Sequence, residues 1–282
     1  MKNWGRKLFG LSLLLFVVGV CGLIWLFARQ EHFVFSLKKL EDVRVIEQPF
    51  KAVSIETETA DLVITPTKTA QATVRLTGEI SEQHKERLQL TSEVTEDGTL
   101  RVQLQEKLFV SLFYPGSEDL RLEIMLPEKE YESIRLETAT GDIKSGVLTA
   151  KTGKVSSGAG DVDLTGYAGE RLDVRTDTGD LKLAGIRATL NVYSSTGEID
   201  KLVLPELTQD VTVRTDTGDV RIEVEKLPEA AQLELASDVG DIEVQWANLS
   251  FAKREEQNIK ASVGTGGPKL AVKSSTGDIR IQ

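Results

Sequence analysis

The chain repeats one short phrase: a Ser or Thr, any two residues, a Gly, an acidic residue and an aliphatic residue. RTDTGDL at 175–181 returns as RTDTGDV at 214–220. The phrase glycines, at spacings of 19, 19, 18, 21, 22 and 37 residues, are Gly141, Gly160, Gly179, Gly197, Gly218, Gly240 and Gly277. A catalytic or phosphate-binding loop is needed once per site, whereas periods of this length are typical of repeat architectures. The phrase therefore belongs to the architecture of the fold.

The positions around each glycine hold the same residue types in every copy. Aliphatic residues stand five before and two after it, with a hydroxyl three before; seven before it, only Gly153 is not aliphatic. This period of two, broken by a corner, predicts a strand, a turn and a strand. The acidic residues that follow the glycines are Asp142, Asp161, Asp180, Glu198, Asp219, Asp241 and Asp278.

The glycine and the acid both have mechanical roles at such a corner. A corner of this kind requires a positive φ, which costs an L-residue about 1 kcal/mol or more and costs glycine little. An acidic side chain can accept hydrogen bonds from nearby backbone N–H groups. We therefore interpret the seven glycines and the seven acids as structural corners.

Two all-β architectures fit this pattern: hairpin tips in a sandwich or meander, or rungs of a parallel β-solenoid. Identical columns favour the solenoid, with about 18–22 residues per rung, because stacked rungs place each column above the next at about 4.8 Å. An earlier copy at 53–64 fills the same columns with Ala60 in place of glycine. A second stacked corner is predicted at Gly146, Gly166 and Gly185.

The N-terminal segment contains 21 uncharged residues from Leu8 to Ala28, which is enough to span the roughly 30 Å hydrocarbon layer as a helix. A cleaved signal peptide fits less well, because bulky residues occupy the exit at 23–30. A lipoprotein signal at Cys21 fits poorly, because Val20 precedes it. Basic residues before the span predict a single-pass protein of the cell membrane with a cytoplasmic N-terminus and an extracellular C-terminal domain.

This organisation divides the chain into five parts. They are a cytoplasmic tail at 1–7, a transmembrane anchor helix at 8–28, a juxtamembrane linker at 29–49, an N-terminal β region with a degenerate rung at 50–133, and the β-solenoid repeat region at 134–282.

The charge of the chain limits the classes of partner, and its cysteine content indicates the cellular compartment. Removing Lys2, Arg6, Lys7 and Arg29 from the 34 basic residues leaves 30 against 44 acidic ones. Nucleic acid and bare anionic lipid are therefore poor partners unless cations intervene. Cys21 is the lone cysteine and lies inside the predicted span, so the external part cannot hold an internal disulfide. This composition is typical of bacterial surface proteins.

Catalytic chemistry has few candidates. His32 and His84 are the two histidines, and neither has the companions of a zinc site or a Ser–His–Asp triad. A carbohydrate-active β-helix enzyme would use corner carboxylates, but an active site seldom repeats in every rung. A divalent ion between rungs is an alternative use of the column, and the weak calcium candidates are Asp161, Asp180, Asp219 and Asp241. Carboxylates screened by water remain the favoured interpretation, with no metal or cofactor.

Two apolar stretches lie outside the repeat pattern. EKLFVSLFYPGSEDL at 106–120 is interpreted as a buried strand ending at a Pro-Gly turn, with an exposed binding loop as the alternative. WANLSF at 246–251 is interpreted as a cap over an open end of the stack.

Residues 120–143, LRLEIMLPEKEYESIRLETATGDI, and the corners that follow resemble the bacterial putative-adhesin family of LiaG-like cell-envelope proteins. The resemblance covers about residues 50–282. It implies an all-β repeat fold, a surface location, an association with envelope stress response in Gram-positive bacteria, and no established reaction. The chain departs from the family pattern at Ala60, at Val239 and over 245–270, where a rung is missing.

Together these features predict a non-enzymatic, membrane-anchored extracellular β-repeat protein that acts as an interaction scaffold in the bacterial cell envelope. Its expected partners are the membrane, through residues 8–28, and a protein or cell-wall polymer at the surface. The alternatives are a calcium-assisted adhesin or cell-wall polymer-binding module and, less favoured, a carbohydrate-active enzyme.

Overall fold

The computed structural model of the chain describes residues 10, 12–22, 38–81, 85–106 and 118–282. The chain divides into two units, Met1–Leu37 and Lys38–Gln282. In the first unit residues 10 and 12–22 are helical, whereas positions 8, 9, 11 and 23–28 of the predicted span lie outside the described residues. Among the described residues, no helix combines the length and the apolar character that crossing a membrane requires.

The second unit begins with strands that precede the first glycine corner. They are β1 (Lys38–Ile46), β2 (Ala52–Thr57), β3 (Asp61–Thr67), β4 (Ala72–Ile80), β5 (Leu88–Val94), β6 (Thr99–Glu106) and β7 (Glu118–Pro127). The interpretation of 29–49 as a linker was wrong for Lys38–Ile46, because β1 pairs with β4 along its whole length.

Each glycine corner joins two strands, which together form a rung. The rungs are β8 (Tyr131–Thr140) with β9 (Ile143–Ser145), β10 (Leu148–Ala159) with β11 (Val162–Leu164), β12 (Tyr167–Thr178) with β13 (Leu181–Ala184), β14 (Ile186–Thr196) with β15 (Ile199–Glu206), β16 (Val211–Thr217) with β17 (Val220–Lys226), β18 (Ala231–Val239) with β19 (Ile242–Val244), and β22 (Lys269–Thr276) with β23 (Ile279–Ile281). The strands β20 (Ser250–Glu255) and β21 (Asn258–Val263) lie between the last two rungs in the sequence.

The rungs stack into two sheets that enclose one core. Sheet A has the order β1-β4-β7-β3-β9-β11-β13-β15-β17-β23-β19, and sheet B has the order β20-β21-β18-β22-β16-β14-β12-β10-β8-β2-β6-β5. The first strand of each rung lies in sheet B, the second lies in sheet A, and neighbouring rungs pair in parallel. The prediction of an all-β repeat fold with stacked parallel strands is confirmed.

The predicted columns are direct partners across sheet B. Leu136, Val155, Val174, Val192 and Val213 follow one another in register, and each is at most 3% exposed. Burying one aliphatic side chain contributes roughly 1.5 to 3 kcal/mol, so each column stabilises the stack along its whole length.

The exception at Gly153 has a packing explanation. A Cβ on Gly153 would stand 2.7 Å from the ring of Tyr167 and 2.8 Å from Leu172. The Tyr167 hydroxyl donates to the carbonyl oxygen of Ala150 at 2.8 Å. The tyrosine ring therefore occupies the space that an aliphatic side chain fills in the other rungs.

The chain order and the stack order differ at two places. The final rung, β22–β23, lies between β16–β17 and β18–β19 in both sheets. The early copy, β2–β3, stacks on β8–β9, with β6 and β7 as its other parallel neighbours. The stretch 245–270 therefore does not interrupt the stack, because the last strands return to fill a place within it.

Antiparallel strands cover both ends of sheet B and one end of sheet A. At one end β5 pairs with β6, and β4 and β1 extend sheet A beyond β7. At the other end β21 pairs with β18 and carries β20. Trp246 is buried and its Nε1 donates to the carbonyl oxygen of Gln282 at 3.2 Å, so WANLSF contributes to covering this end.

Candidate functional site

The glycine corners need glycine for two independent reasons. All seven phrase glycines have φ between +132° and +145°, a region that L side chains rarely adopt. At Gly179 a Cβ would also stand 2.2 Å from the carbonyl oxygen of Gly160. Neighbouring rungs approach this closely because the backbone N–H of Gly160 donates to the carbonyl oxygen of Thr178 at 2.9 Å.

The acidic residues of the corners form a ladder between rungs. The Oδ1 atoms of six aspartates each accept a hydrogen bond from the backbone N–H of the acidic residue in the neighbouring rung, at 2.8–3.0 Å. The acceptor and donor pairs are Asp61 and Asp142, Asp142 and Asp161, Asp161 and Asp180, Asp180 and Glu198, Asp219 and Asp278, and Asp278 and Asp241. The repeated carboxylate therefore has a defined structural use.

The ladder has one gap, at the position where the chain has Glu198. Its own N–H donates to Asp180 at 2.9 Å, but within the described corners no bond joins its carboxylate to the N–H of Asp219. Glutamate has one more methylene than aspartate, so its carboxylate lies farther from the neighbouring backbone N–H that an aspartate at this position would reach.

The hydroxyl column lies inside the stack. Its members, each at most 5% exposed, are Thr57, Thr138, Ser157, Thr176, Ser194, Thr215, Ser237 and Ser274. Ser237 donates to the carbonyl oxygen of Gly277 at 2.9 Å. Within the described part of the chain, four other hydroxyls of this column have no hydrogen-bond partner, those of Thr138, Thr176, Thr215 and Ser274. A hydroxyl enclosed in this way cannot reach a substrate outside the stack.

The calcium candidates are distributed along the ladder. Asp161 and Asp180 each use Oδ1 for the next rung, Asp219 does so towards Asp278, and Asp241 occupies the terminal rung of sheet A. Within the described residues, no three His, Cys, Asp or Glu side chains are grouped so as to hold a metal ion. Calcium between rungs stays the less favoured alternative.

Several candidates fall outside the described residues. His32, His84 and positions 107–117 of the apolar stretch are among them. Cys21 is a free, exposed cysteine.

The outer face of sheet B carries ordered charge networks. Arg171 donates two hydrogen bonds to Asp173, at 2.8 and 2.9 Å, and Asn191 donates another at 2.8 Å. The bonds from Arg171 and Asn191 lower the pKa of Asp173, against the opposing effect of burial. Burial raises the pKa of Glu137, but the hydrogen bonds from Lys154 and Arg135 bring it below its usual value. These carboxylates are therefore ionised partners of neighbouring cations.

A second charged feature lies on the side of the rungs that is opposite to the glycine corners. Lys129 lies 4.2 Å from the ring centroid of Phe50 and 5.0 Å from that of Tyr131, beside a cleft of about 730 Å³. Burial lowers the pKa of Lys129 and raises the pKa of Tyr131. The Tyr131 hydroxyl donates to the carbonyl oxygen of Pro127 at 2.7 Å, which fixes this aromatic pair as part of the fold.

A groove of about 360 Å³ lies on sheet B near its capped end. We call it the C-terminal groove. It crosses β16, β22, β18 and β21, and its charged lining residues are Arg214, Glu234, Lys260, Lys269 and Lys273. The sequence could not indicate this group, because the return of the last rung places Lys269 and Lys273 between residues of earlier strands.

Comparison with known proteins gives a family and a set of similar structures. The family model described as Toastrack DUF4097 matches residues 50–200 and 136–282. A crystal structure of a putative adhesin from Bacteroides fragilis is 13% identical, covering 88% of this chain and 98% of its own with a TM-score of 0.49. No curated protein sequence matches the chain significantly.

Two further crystal structures are similar at lower TM-scores. A putative cell adhesion protein from Clostridium sporogenes is 15% identical, covering 86% of this chain and 99% of its own with a TM-score of 0.35. A putative lipid binding protein from Parabacteroides distasonis is 15% identical, covering 86% of this chain and 97% of its own with a TM-score of 0.39.

Proposed function

Because the chain belongs to the Toastrack DUF4097 family, we propose that it is a non-enzymatic interaction scaffold of the bacterial cell envelope. The observation that carries this proposal is the aspartate ladder. An acidic residue recurs at each corner, and six of the corner aspartates accept a backbone N–H of the next rung at 2.8–3.0 Å. Their recurrence is thereby accounted for without a reaction.

The outer surface of sheet B supports a role in binding a partner. Parallel strands in register hold outward side chains at the regular spacing of the sheet, about 4.8 Å. On sheet B these include the Arg171, Asp173 and Asn191 network and the bond from Tyr193 to Asp216 at 2.8 Å. A rigid array of this kind presents polar groups to a partner with little loss of conformational entropy.

The membrane anchor is the second part of the proposal, and it rests on the 21 uncharged residues from Leu8 to Ala28. In this arrangement the N-terminus is cytoplasmic and residues 38–282 are extracellular. The finer assignments, LiaG-like identity and a role in envelope stress, extend the same proposal and rest on the resemblance of residues 120–143.

Location is tested by thiol labelling in intact cells. With Cys21→Ser removing the native thiol, Glu256→Cys places a cysteine in the exposed turn between β20 and β21. We expect a membrane-impermeant maleimide to label Glu256→Cys without lysis and to label Asn3→Cys only after permeabilisation. Labelling of both variants only after lysis would exclude the extracellular arrangement.

Binding is tested with the full chain in a non-ionic detergent. Purified cell walls and solubilised envelope proteins are each presented to wild type, to Arg171→Glu/Arg175→Glu, which disrupts the outer face of sheet B, and to Asp180→Asn, which changes only the ladder. We expect partner retention to fall in the first variant and to persist in the second. Polysaccharide cleavage that disappears in Asp180→Asn would instead support an enzyme.

A further inference from the structure

The C-terminal groove owes its shape to two alanines on the outward side of sheet B. Ala271 is the register partner of Thr212 on one side and of Glu234 on the other. Ala236 lies between Lys273 and Asn258 in the same way. Short side chains flanked by long ones leave a depression about four strands wide, and the long side chains form its walls.

The walls are cationic in an anionic protein. Arg214, Lys260, Lys269 and Lys273 surround one carboxylate, that of Glu234, although the whole chain carries a net charge of −10. Lys269 lies 2.6 Å and Lys260 3.5 Å from the Glu234 carboxylate. The hydrogen bond from Lys269 lowers the pKa of Glu234, an effect that burial opposes and Lys260 assists. This carboxylate is therefore ionised and partly neutralises the charges of Lys260 and Lys269.

The other two cations keep their charge available. Lys273 is 3.9 Å from Asp238 at the rim, the outer limit of an ion pair. Arg214 has no hydrogen bond or ion pair within the part of the chain that the structure describes. Because Arg214 and Lys273 are direct register partners on adjacent strands, their two head groups can converge on one anion. A guanidinium beside an ammonium is suited to a phosphate, which offers several acceptor oxygens.

Asn258 adds an unpartnered polar atom to the same groove. Its Oδ1 is buried and has no hydrogen-bond partner among the residues that the structure describes, and the residue is the register partner of Ala236 on the groove floor. A buried amide oxygen without a partner is uncommon and costs free energy. Asn258 lines the groove, so a rotation of its side chain towards the floor would let this oxygen accept a hydrogen bond from a hydroxyl group on a ligand lying over Ala236.

We propose that the C-terminal groove binds a phosphate ester that carries neighbouring hydroxyl groups, as in a phosphorylated polyol or sugar. Arg214 and Lys273 contact the phosphate, and the amide of Asn258 contacts a hydroxyl. This assignment deepens the proposed function and rests on the outer face of sheet B being its binding surface. The same headgroup chemistry occurs in soluble polyol phosphates and in phosphatidylglycerol, and the test separates these sources.

The test is calorimetric titration of the full chain in a non-ionic detergent. The probes are glycerol 3-phosphate, methyl phosphate and dihexanoyl phosphatidylglycerol kept below its micelle concentration. We expect wild type to bind glycerol 3-phosphate more tightly than methyl phosphate, and Asn258→Ala to remove that preference. Tighter binding of the short-chain lipid would assign the lipid as the source, and tighter binding of glycerol 3-phosphate would assign the soluble ester.

Paired variants distinguish a specific binding site from nonspecific electrostatic attraction. Arg214→Gln/Lys273→Gln should weaken binding about tenfold or more, because two charge-assisted contacts are lost. Ala236→Trp, which fills the floor without changing charge, should do the same. The controls Arg101→Gln/Lys151→Gln and Ala139→Trp change exposed positions elsewhere on sheet B and should leave the affinity within about twofold of wild type.

Two outcomes would overturn the assignment. One is an absence of binding by wild type to all three probes, and the other is an equal loss of affinity in the groove variants and in their controls. Neither outcome would affect retention on cell walls or envelope proteins through the rest of sheet B. Conversely, phosphate binding that persists while all envelope partners are lost would count against the scaffold and leave the groove in place.

Discussion

The middle of the stack and its C-terminal end follow different rules of chain order. From β8–β9 to β16–β17, each rung stacks on the one that precedes it in the sequence. At the end, β18–β19 moves one place outward and β22–β23, which comes later in the chain, lies beneath it. The register is nevertheless unchanged, because Val213 pairs with Val272 and Val272 pairs with Leu235.

The columns therefore decide which surfaces of the rungs meet, whereas the loops decide the order in which the rungs stack. Each of the seven glycine rungs offers its neighbour the same aliphatic column, a corner glycine and a corner acid, which is aspartate in all but the rung of Glu198. The order is then free to change where a connection is long enough, as with the 37 residues from Gly240 to Gly277. The connection itself forms β20 and β21, which cover the edge of sheet B.

The largest expected difference between the two regions lies in the aliphatic columns. Val213→Asp places an unpaired carboxylate in a position that is 0% exposed, so we expect a loss of about 4 kcal/mol or more and local unfolding. Val244→Asp, at the half-buried outer strand of sheet A, should cost about 1 kcal/mol. Urea unfolding followed by circular dichroism measures both, and similar losses would contradict the distinction between middle and end.

The next largest loss of stability is expected where corner glycines of neighbouring rungs lie in close contact. Gly179→Ala combines a φ of +132° with a Cβ at 2.2 Å from the Gly160 carbonyl, and it should lose about 3 kcal/mol. Gly266→Ala is the matched control, because its φ is +75° but nothing lies within 4 Å; it should lose about 1 kcal/mol. If thermal unfolding showed equal losses, backbone φ alone would explain the glycines and the close stacking would be unnecessary.

A smaller effect should distinguish the interior of the ladder from its end. Asp180→Ala removes the acceptor for the N–H of Glu198 and should destabilise the chain by about 1 kcal/mol, the net value of one hydrogen bond. Asp241→Ala should be nearly neutral, because Asp241 stands in the last rung of the ladder. A chelator should change neither result; a calcium-dependent melting temperature that is lost in Asp180→Ala would revive the calcium alternative.

The smallest expected effect is a gain in the free energy of unfolding. Glu198→Asp shortens the side chain at the gap in the ladder, which should allow its carboxylate to accept the N–H of Asp219. We expect stabilisation by about 0.5 to 1 kcal/mol. The control Glu206→Asp, on an exposed side chain paired with Lys226, should gain nothing. A loss of stability in Glu198→Asp would show that the gap has another cause.

The rungs were predictable because their signal is repeated. A single alternation of aliphatic residues is ambiguous, but seven aligned copies fix the strands, the corner and the inward face. The early copy was visible even with Ala60 at the corner, because Thr57, Asp61 and Leu62 retain their columns. The structure then shows Asp61 accepting the N–H of Asp142, like the later aspartates.

The rest depends on contacts that no local pattern encodes. The partner of each aspartate is the backbone of another rung, so the ladder requires knowledge of the stacking order. β1 carries weak alternation and exposed Val43 and Val45, and only its pairing with β4 makes it a strand of the sheet. The C-terminal groove combines residues from β16, β22, β18 and β21, whose proximity follows from the returning last rung.

Disulfide formation between introduced cysteines tests most directly whether matching columns, and not chain order, set the neighbours. In a Cys21→Ser background, Arg214→Cys/Lys273→Cys places cysteines on register partners, about 5 Å apart, within the distance that a disulfide bridges. Arg214→Cys/Ala236→Cys places them two strands apart, at about 10 Å, which is beyond it. We predict that mild oxidation cross-links the first pair and leaves the second pair free. Cross-linking of the second pair alone would show that the rungs stack in chain order, which would contradict the placement of β22–β23 between β16–β17 and β18–β19.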